Sequence, residues 1–177
     1  MSIPEIMEQE YARRKANKEY GGYFYYIQND KIVGKEKNTA TAVFYALVGA
    51  FVSNTAQNDQ NIGNNFTPTN YNDSSAPYTI TYIDSFTLMG AIQTNIATQP
   101  YYTSAPPAVT VTANYLNIIM SFGVLDSSVT SGTITQIYIR ILDTGTSDNE
   151  IFLTTPSNTQ IPFNPSVALT ITYQLIV

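Results

Sequence analysis

The C-terminal stretch Val167-Ala168-Leu169-Thr170-Ile171-Thr172-Tyr173-Gln174-Leu175-Ile176-Val177 decides the fold class. Val167, Leu169, Ile171, Tyr173, Leu175 and Val177 hold one parity, and Ala168, Thr170, Thr172 and Gln174 hold the other. Successive side chains of a strand point to opposite faces, so this pattern predicts an antiparallel strand with one buried face. The same period recurs upstream. Tyr78, Ile80 and Tyr82 keep one parity, as do Phe86, Leu88, Gly90 and Ile92. So do Val109 and Val111, then Leu116, Ile118, Met120 and Phe122, then Ile137, Ile139 and Ile141. Asp126-Ser127-Ser128, Asp143-Thr144-Gly145 and residues 162–165 supply turn chemistry between them. About seven or eight such strands predict an all-β domain over residues 38–177, an antiparallel β-sandwich of jelly-roll or Ig-like type.

Residues 1–37 read as an arm before that domain. Ile3, Ile6, Met7 and Tyr11 fall at helical spacing within 3–20, with Glu5, Glu8 and Glu10 early and Arg13, Arg14, Lys15 and Lys18 late. That polarity complements the helix dipole, and Gly21-Gly22 is the expected stop. Tyr23-Phe24-Tyr25-Tyr26-Ile27 and Lys31-Ile32-Val33 then flank Asn29-Asp30, a hairpin pattern. Inside the body, residues 38–53 suit either a buried strand or a helix. Thr39 or Thr41 as a cap, with Val43, Leu47 and Ala50 on one side, favours one further short helix. Residues 54–77 are a polar run of Asn, Thr, Ser, Asp and Gln, read as a long loop.

Composition removes most chemistry. The 177 residues contain no Cys and no His, so thiolate metal sites, disulfides and the commonest general base are all missing. Trp is absent too, while Tyr numbers 14. Residues 1–37 hold seven of the eight Lys and Arg; the rest of the chain has Arg140 alone against seven acids. Such a body neutralises few phosphates, so nucleic acid is not an expected partner of the β-domain. The basic run Arg13-Arg14-Lys15 with Lys18 is interleaved with Glu10 and Glu19 and reads as a mixed-charge solvated face. No membrane span is expected: the longest apolar run, 40–52, is thirteen residues and is broken by Thr41, whereas a span needs about 20. Glu5, Glu8 and Glu10 stand where a signal peptide needs an apolar stretch.

Ordinary loop composition competes with each candidate chemistry. Asp143, Asp148 and Glu150 share one inter-strand loop and offer oxygen ligands of the kind Ca²⁺ takes, but their spacing matches no known calcium loop. Serines have no His partner, and no Gly-rich phosphate loop is present. The expectation is a non-enzyme without catalytic residues, metal or cofactor. Tyr23, Tyr25, Tyr26, Tyr101 and Tyr102 suit an interface, or in a rival reading a carbohydrate- or receptor-binding module together with the Asn-rich loop.

From residue 38 onward the order of elements resembles a family of virus and phage structural β-sandwich proteins found in tails, fibres and vertex or head decorations. The matching stretches are 40–51, 78–82, 114–125, 133–145, 151–156 and 166–177, with the run from Thr133 through Gly145, Ile151-Phe152, Thr155-Pro156 and Leu169–Gln174 carrying the likeness. It departs from the pattern at Ile83-Asp84-Ser85-Phe86, where such proteins often carry a Gly-rich loop. The resemblance implies a non-enzymatic virion component, capsid, vertex, fibre or tail, whose partners are copies of itself and other virion proteins. Host surface glycan would be a further contact under the rival reading. Few charges in the body also limit repulsion on acidification, which resembles the exterior proteins of viruses infecting hot-acid archaea. Within this reading Ile3, Ile6, Met7, Tyr11, Tyr23 and Tyr25 are the expected subunit interface. A short helix with so narrow an apolar stripe is marginal alone, and the domain's own outer faces read as Thr and Asn, which would leave a neighbouring subunit to supply the groove.

Overall fold

The structure, a computed structural model, describes residues 1–38, 86–103, 105, 107–111, 114–143, 150–152, 154 and 157–176. The expected helix at 40–51, the loop at 54–77 and the strand at 78–82 lie outside the described residues. In chain order the elements are α1 (Ile3–Ala16), β1 (Gly21–Gln28), β2 (Lys31–Asn38), β3 (Phe86–Thr94), β4 (Tyr101–Tyr102) and β5 (Ala108–Val111). There follow β6 (Tyr115–Gly123), β7 (Gly132–Asp143), β8 (Glu150–Phe152), β9 (Ser157–Phe163) and β10 (Leu169–Ile176). The described residues are mostly β, in two antiparallel sheets with one helix. One sheet runs β2-β1-β10-β6-β5; the other runs β4-β3-β7, with β8 and β9 along the far side of β7.

Side chains from both sheets meet in one core. Phe24, Tyr26, Leu116, Ile118, Met120, Phe122, Leu169, Ile171, Tyr173 and Leu175 come from the first sheet; Ile92, Ile134, Ile137, Ile139 and Phe163 come from the second. The alternation read in β6 and β10 therefore faces inward as expected. In β7 the parity changes: Gln93 pairs with Gln136 but Thr94 pairs with Ile134, leaving Thr135 as an extra residue. This bulge lets Ile134 and Ile137 both reach the core, which a strict period of two forbids. On either side of the Gly90–Ile139 pair a threonine completes the ladder. Thr103 Oγ1 accepts from Gly90 N (3.3 Å), and Thr154 Oγ1 accepts from Ile139 N (2.9 Å).

The hairpin turn is Asn29-Asp30, with φ of 50° and 56°. Left-handed conformation at both central residues gives the type I′ geometry whose twist matches two-residue hairpins. Helix α1 starts on a capping box. Ser2 Oγ accepts from Glu5 N (3.5 Å) while the Glu5 carboxylate accepts from Ser2 N (2.6 Å). It stops at Ala16, short of Gly21-Gly22, because Lys18 turns left-handed (φ 57°) and closes a Schellman motif. Lys18 N donates to Lys15 O (3.2 Å) and Glu19 N donates to Arg14 O (2.8 Å).

Two expectations need correction. Residues 21–37 belong to no separate arm: β1 pairs with β10 from Gly21↔Ile176 to Ile27↔Thr170, so the hairpin contributes two of the five strands of the first sheet. The sequence of β1 permits this because both its faces are apolar, Phe24 and Tyr26 inward, Tyr23, Tyr25 and Ile27 outward. Second, the polar parity of β10 is not solvent-facing, since Thr172 and Gln174 are as buried as Ile171 and Tyr173. The cover is the chain's own α1.

Gly22 marks where β1, β2 and β10 are drawn tightest. A Cβ there would run into the Tyr173 hydroxyl and sit 2.8 Å from Asn38 O. Gly22→Ala is expected to cost about 1–3 kcal/mol of stability through overpacking, read as a lower midpoint in urea denaturation; an unchanged midpoint would contradict this packing.

Candidate assembly surface

The six residues expected to meet a neighbour meet their own chain. Ile6 and Met7 are buried against Tyr25 and Ile27, with Ile3, Tyr23 and Ile32 packed around them. Tyr11 lies on Tyr115 of β6, ring centroids 4.6 Å apart. The groove expected from a neighbouring subunit is supplied by the outer face of the same sheet, where β1 presents Tyr23, Tyr25 and Ile27 rather than the Thr and Asn expected of the domain's outer faces. Ile6, Met7 and Tyr25 are buried by this packing, and Ile3, Tyr11 and Tyr23 are half-buried.

The basic run is spent internally as well. Arg13 bridges Glu10 (3.1 Å) and Glu19 (2.9 Å), contacts that raise its own pKa and, from Arg13, hold the Glu19 carboxyl below its ordinary range. Arg14 is fully buried. Its Nε donates to Glu19 O (3.2 Å), Nη1 to Gln174 O (3.2 Å) and Oε1 (3.3 Å), and Nη2 to Gly21 O (2.6 Å). The guanidinium also stands 4.1 Å from the centre of the Tyr23 ring. Gln174 Nε2 in turn donates to Met7 O (2.9 Å). Nothing in the sequence separates Arg14 from its neighbour Arg13; only the direction of the helix face does.

This seam between α1 and the sheet is polar, and it carries unpartnered groups among the described residues. Thr172 Oγ1 and Asn117 Oδ1 are buried without a hydrogen bond, and Thr172 opposes Tyr25 in the β1–β10 ladder. Burial pushes the Tyr25 phenol up to about 12.

A different side of the molecule presents surface. Gly34 of β2 lies against Ile161 of β9, and Gly90 of β3 lies against Met120 of β6. With β2 over β9 at one side and β6 over β3 further across, β5 and β4 come to the same opposite side. Every residue of both belongs to an unbroken uncharged stretch, 85–125, that also builds β3 and β6. Tyr102 (42% exposed) and Val109 (50% exposed) lie open there, with Ala108 and Thr110 also exposed. The β2 side is the opposite in character, with Lys31, Lys35 and Lys37 exposed and Glu36 turned inward to accept from the Tyr26 hydroxyl (2.9 Å). The absence of any charge between Asp84 and Asp126 was the sequence signal for this surface.

The remaining candidates do not gather into a site. Asp148 lies outside the described residues, and only the backbones of Asp143 and Glu150 are placed, near the paired ends of β7 and β8. Among the described residues no group of three acids collects to hold a metal, and no helix is long and apolar enough to cross a membrane. A groove of about 330 Å³ between the start of α1 and the hairpin turn has Asp30 as its one titratable lining residue. Of the five tyrosines considered for sugar stacking, Tyr25 and Tyr26 are fully buried, Tyr23 and Tyr101 are half-buried, and Tyr102 is exposed. Comparison with protein-family models, with curated proteins and with solved structures finds no match for this chain.

The raised Tyr25 pKa has a measurable consequence. A phenol lifted from 10.0 to about 12 contributes stability that is complete below pH 10 and is lost as pH rises through 12. Alkaline titration of tyrosinate absorbance is expected to show a late-titrating class, with stability falling between those two pH values. Tyr25→Phe is expected to remove part of that fall, and titration of all 14 tyrosines together near the ordinary value would contradict it.

Proposed function

We propose that this chain is a non-enzymatic structural subunit of a virus particle, in the exterior of the virion, working through contacts with copies of itself and with other particle proteins. Its two sheets are read as a sandwich of the jelly-roll or Ig-like kind. One observation carries the proposal: the uncharged open side formed by β4 and β5, facing away from a side guarded by lysines. Association through such a surface gains from apolar burial and brings no like charges together.

Further support comes from what the chain does with its reactive groups. The cations near the N-terminus are consumed in holding α1 to the sheet, and the titratable groups described form no cleft. The resemblance in the order of strands points to particle exteriors, and the scarcity of charge in the body suits a particle exposed to acid, as in viruses of hot-acid archaea. The carbohydrate-binding reading loses Tyr25 and Tyr26 to burial.

Sedimentation of the purified full chain is expected to show concentration-dependent association that persists at high salt, because screening weakens charge contacts and leaves apolar ones in place. An antibody against the chain is expected to label intact particles in electron micrographs. A monomer at every concentration, or label confined to soluble cell extract, contradicts the proposal.

A further inference from the structure

Sheet edges invite pairing, and proteins blunt them with lysine, proline, inward charges or very short strands. Three of the four edges among the described residues carry such a device. β2 has Lys31, Lys35, Lys37 and the inward Glu36. The edge formed by β8 and β9 carries Glu150 and Pro162. β4 is two residues long. The fourth edge, β5, is Ala108-Val109-Thr110-Val111, four residues that follow Pro106-Pro107 and carry neither a charge nor an internal proline. It pairs with β6 on one side, and among the described residues nothing pairs with it on the other.

We infer that β5 is a strand-pairing seam, and that its occupant is β5 of a second copy of this chain. Facing restricts the register. Val109 opposes Ile118, a core residue, and so lies on the core face; Ala108 and Thr110 oppose Ile119 and Asn117 on the outer face, and Val111 takes the register position opposite Leu116. A two-fold axis perpendicular to the sheet makes the two strands antiparallel and keeps each face continuous, so residues directly opposite must share a face. Centring the axis on Thr110 sets Thr110 against its own counterpart and Val109 against Val111 of the second copy. These are β-branched cross-strand pairs, and they cover Val109, which one chain leaves half exposed. A second copy suits this edge because it presents the same uncharged strand, whereas the chain's net charge of −5 disfavours contact through most other faces. The result is a continuous ten-stranded sheet built from two five-stranded ones.

This seam deepens the proposed function and rests on it. The test uses the full chain, whose lack of cysteine makes single-cysteine variants unambiguous. Directly opposed residues of an antiparallel pair have Cα atoms about 4.5–5.5 Å apart, within the range a disulfide spans. Thr110→Cys is expected to form a covalent dimer under mild oxidation, while Lys35→Cys on the β2 edge stays monomeric on gels. Thr110→Lys places two like charges face to face and is expected to sediment as a monomer with an unchanged circular dichroism spectrum. If the unmodified chain associates but Thr110→Cys does not cross-link, or Thr110→Lys still associates, or Lys35→Cys cross-links equally, the seam is wrong and the assembly reading stands. If the unmodified chain never associates, both fall.

Discussion

A strand buried on both faces needs two covers, and the structure is organised around that requirement in β10. Its inward face, Leu169, Ile171, Tyr173 and Leu175, is covered by the second sheet. Its outward face, Thr172, Gln174 and Ile176, must be covered by something that also satisfies polar groups. Helix α1 does both. Ile6 and Met7 supply apolar contact to neighbouring Tyr25 and Ile27, while Arg14 distributes its hydrogen bonds over Glu19 O, Gly21 O and both acceptors of Gln174. A buried cation without a carboxylate partner carries a desolvation cost, which several charge-assisted hydrogen bonds and the Tyr23 ring offset. Such a geometry admits one docking position for the helix, since the planar fork has to find all its acceptors at once.

On the proposed assembly reading, that intramolecular use of the N-terminal segment leaves contact with other molecules to other surfaces. With α1 lying on β1 and β10 and the hairpin built into the sheet, the cationic end of the chain becomes structural rather than exploratory. Exposure of uncharged surface shifts to β4 and β5. The division is physical: the β2 edge repels strand addition by lysines and an inward glutamate, whereas β5 carries no charge. The proposed structural role would use that asymmetry, because unguarded edges on every side would aggregate without order.

Much of the fold was legible in residue order. Period-two alternation in Leu116–Phe122 and Leu169–Leu175 located two central strands and their inward faces, and Asn29-Asp30 located the hairpin. Three features were not legible, each for a local reason. The bulge at Thr135 breaks the period within β7 without a glycine or proline to announce it. The helix ends at Ala16 because a lysine, not a glycine, adopts the left-handed position. Burial of Thr172 and Gln174 depends on a helix 160 residues earlier in the chain, as the Arg14–Gln174 separation shows. Of the candidate site, the narrow apolar stripe of α1 signals the need for a cover, but not that the outer face of the chain's own sheet supplies it. Polarity of β10 suggested a hydrophilic surface, whereas the adjacent strand β1 supplied Tyr23, Tyr25 and Ile27 beside it.

Backbone hydrogen exchange measured on the full chain at low and high concentration tests the central claim most directly, because it reports both surfaces in one experiment. The account predicts that amides of Ala108–Val111 gain protection as concentration rises while those of α1 and β2 stay as they are in the monomer. Protection that appears with concentration in α1 and β1, with β5 unchanged, would contradict it.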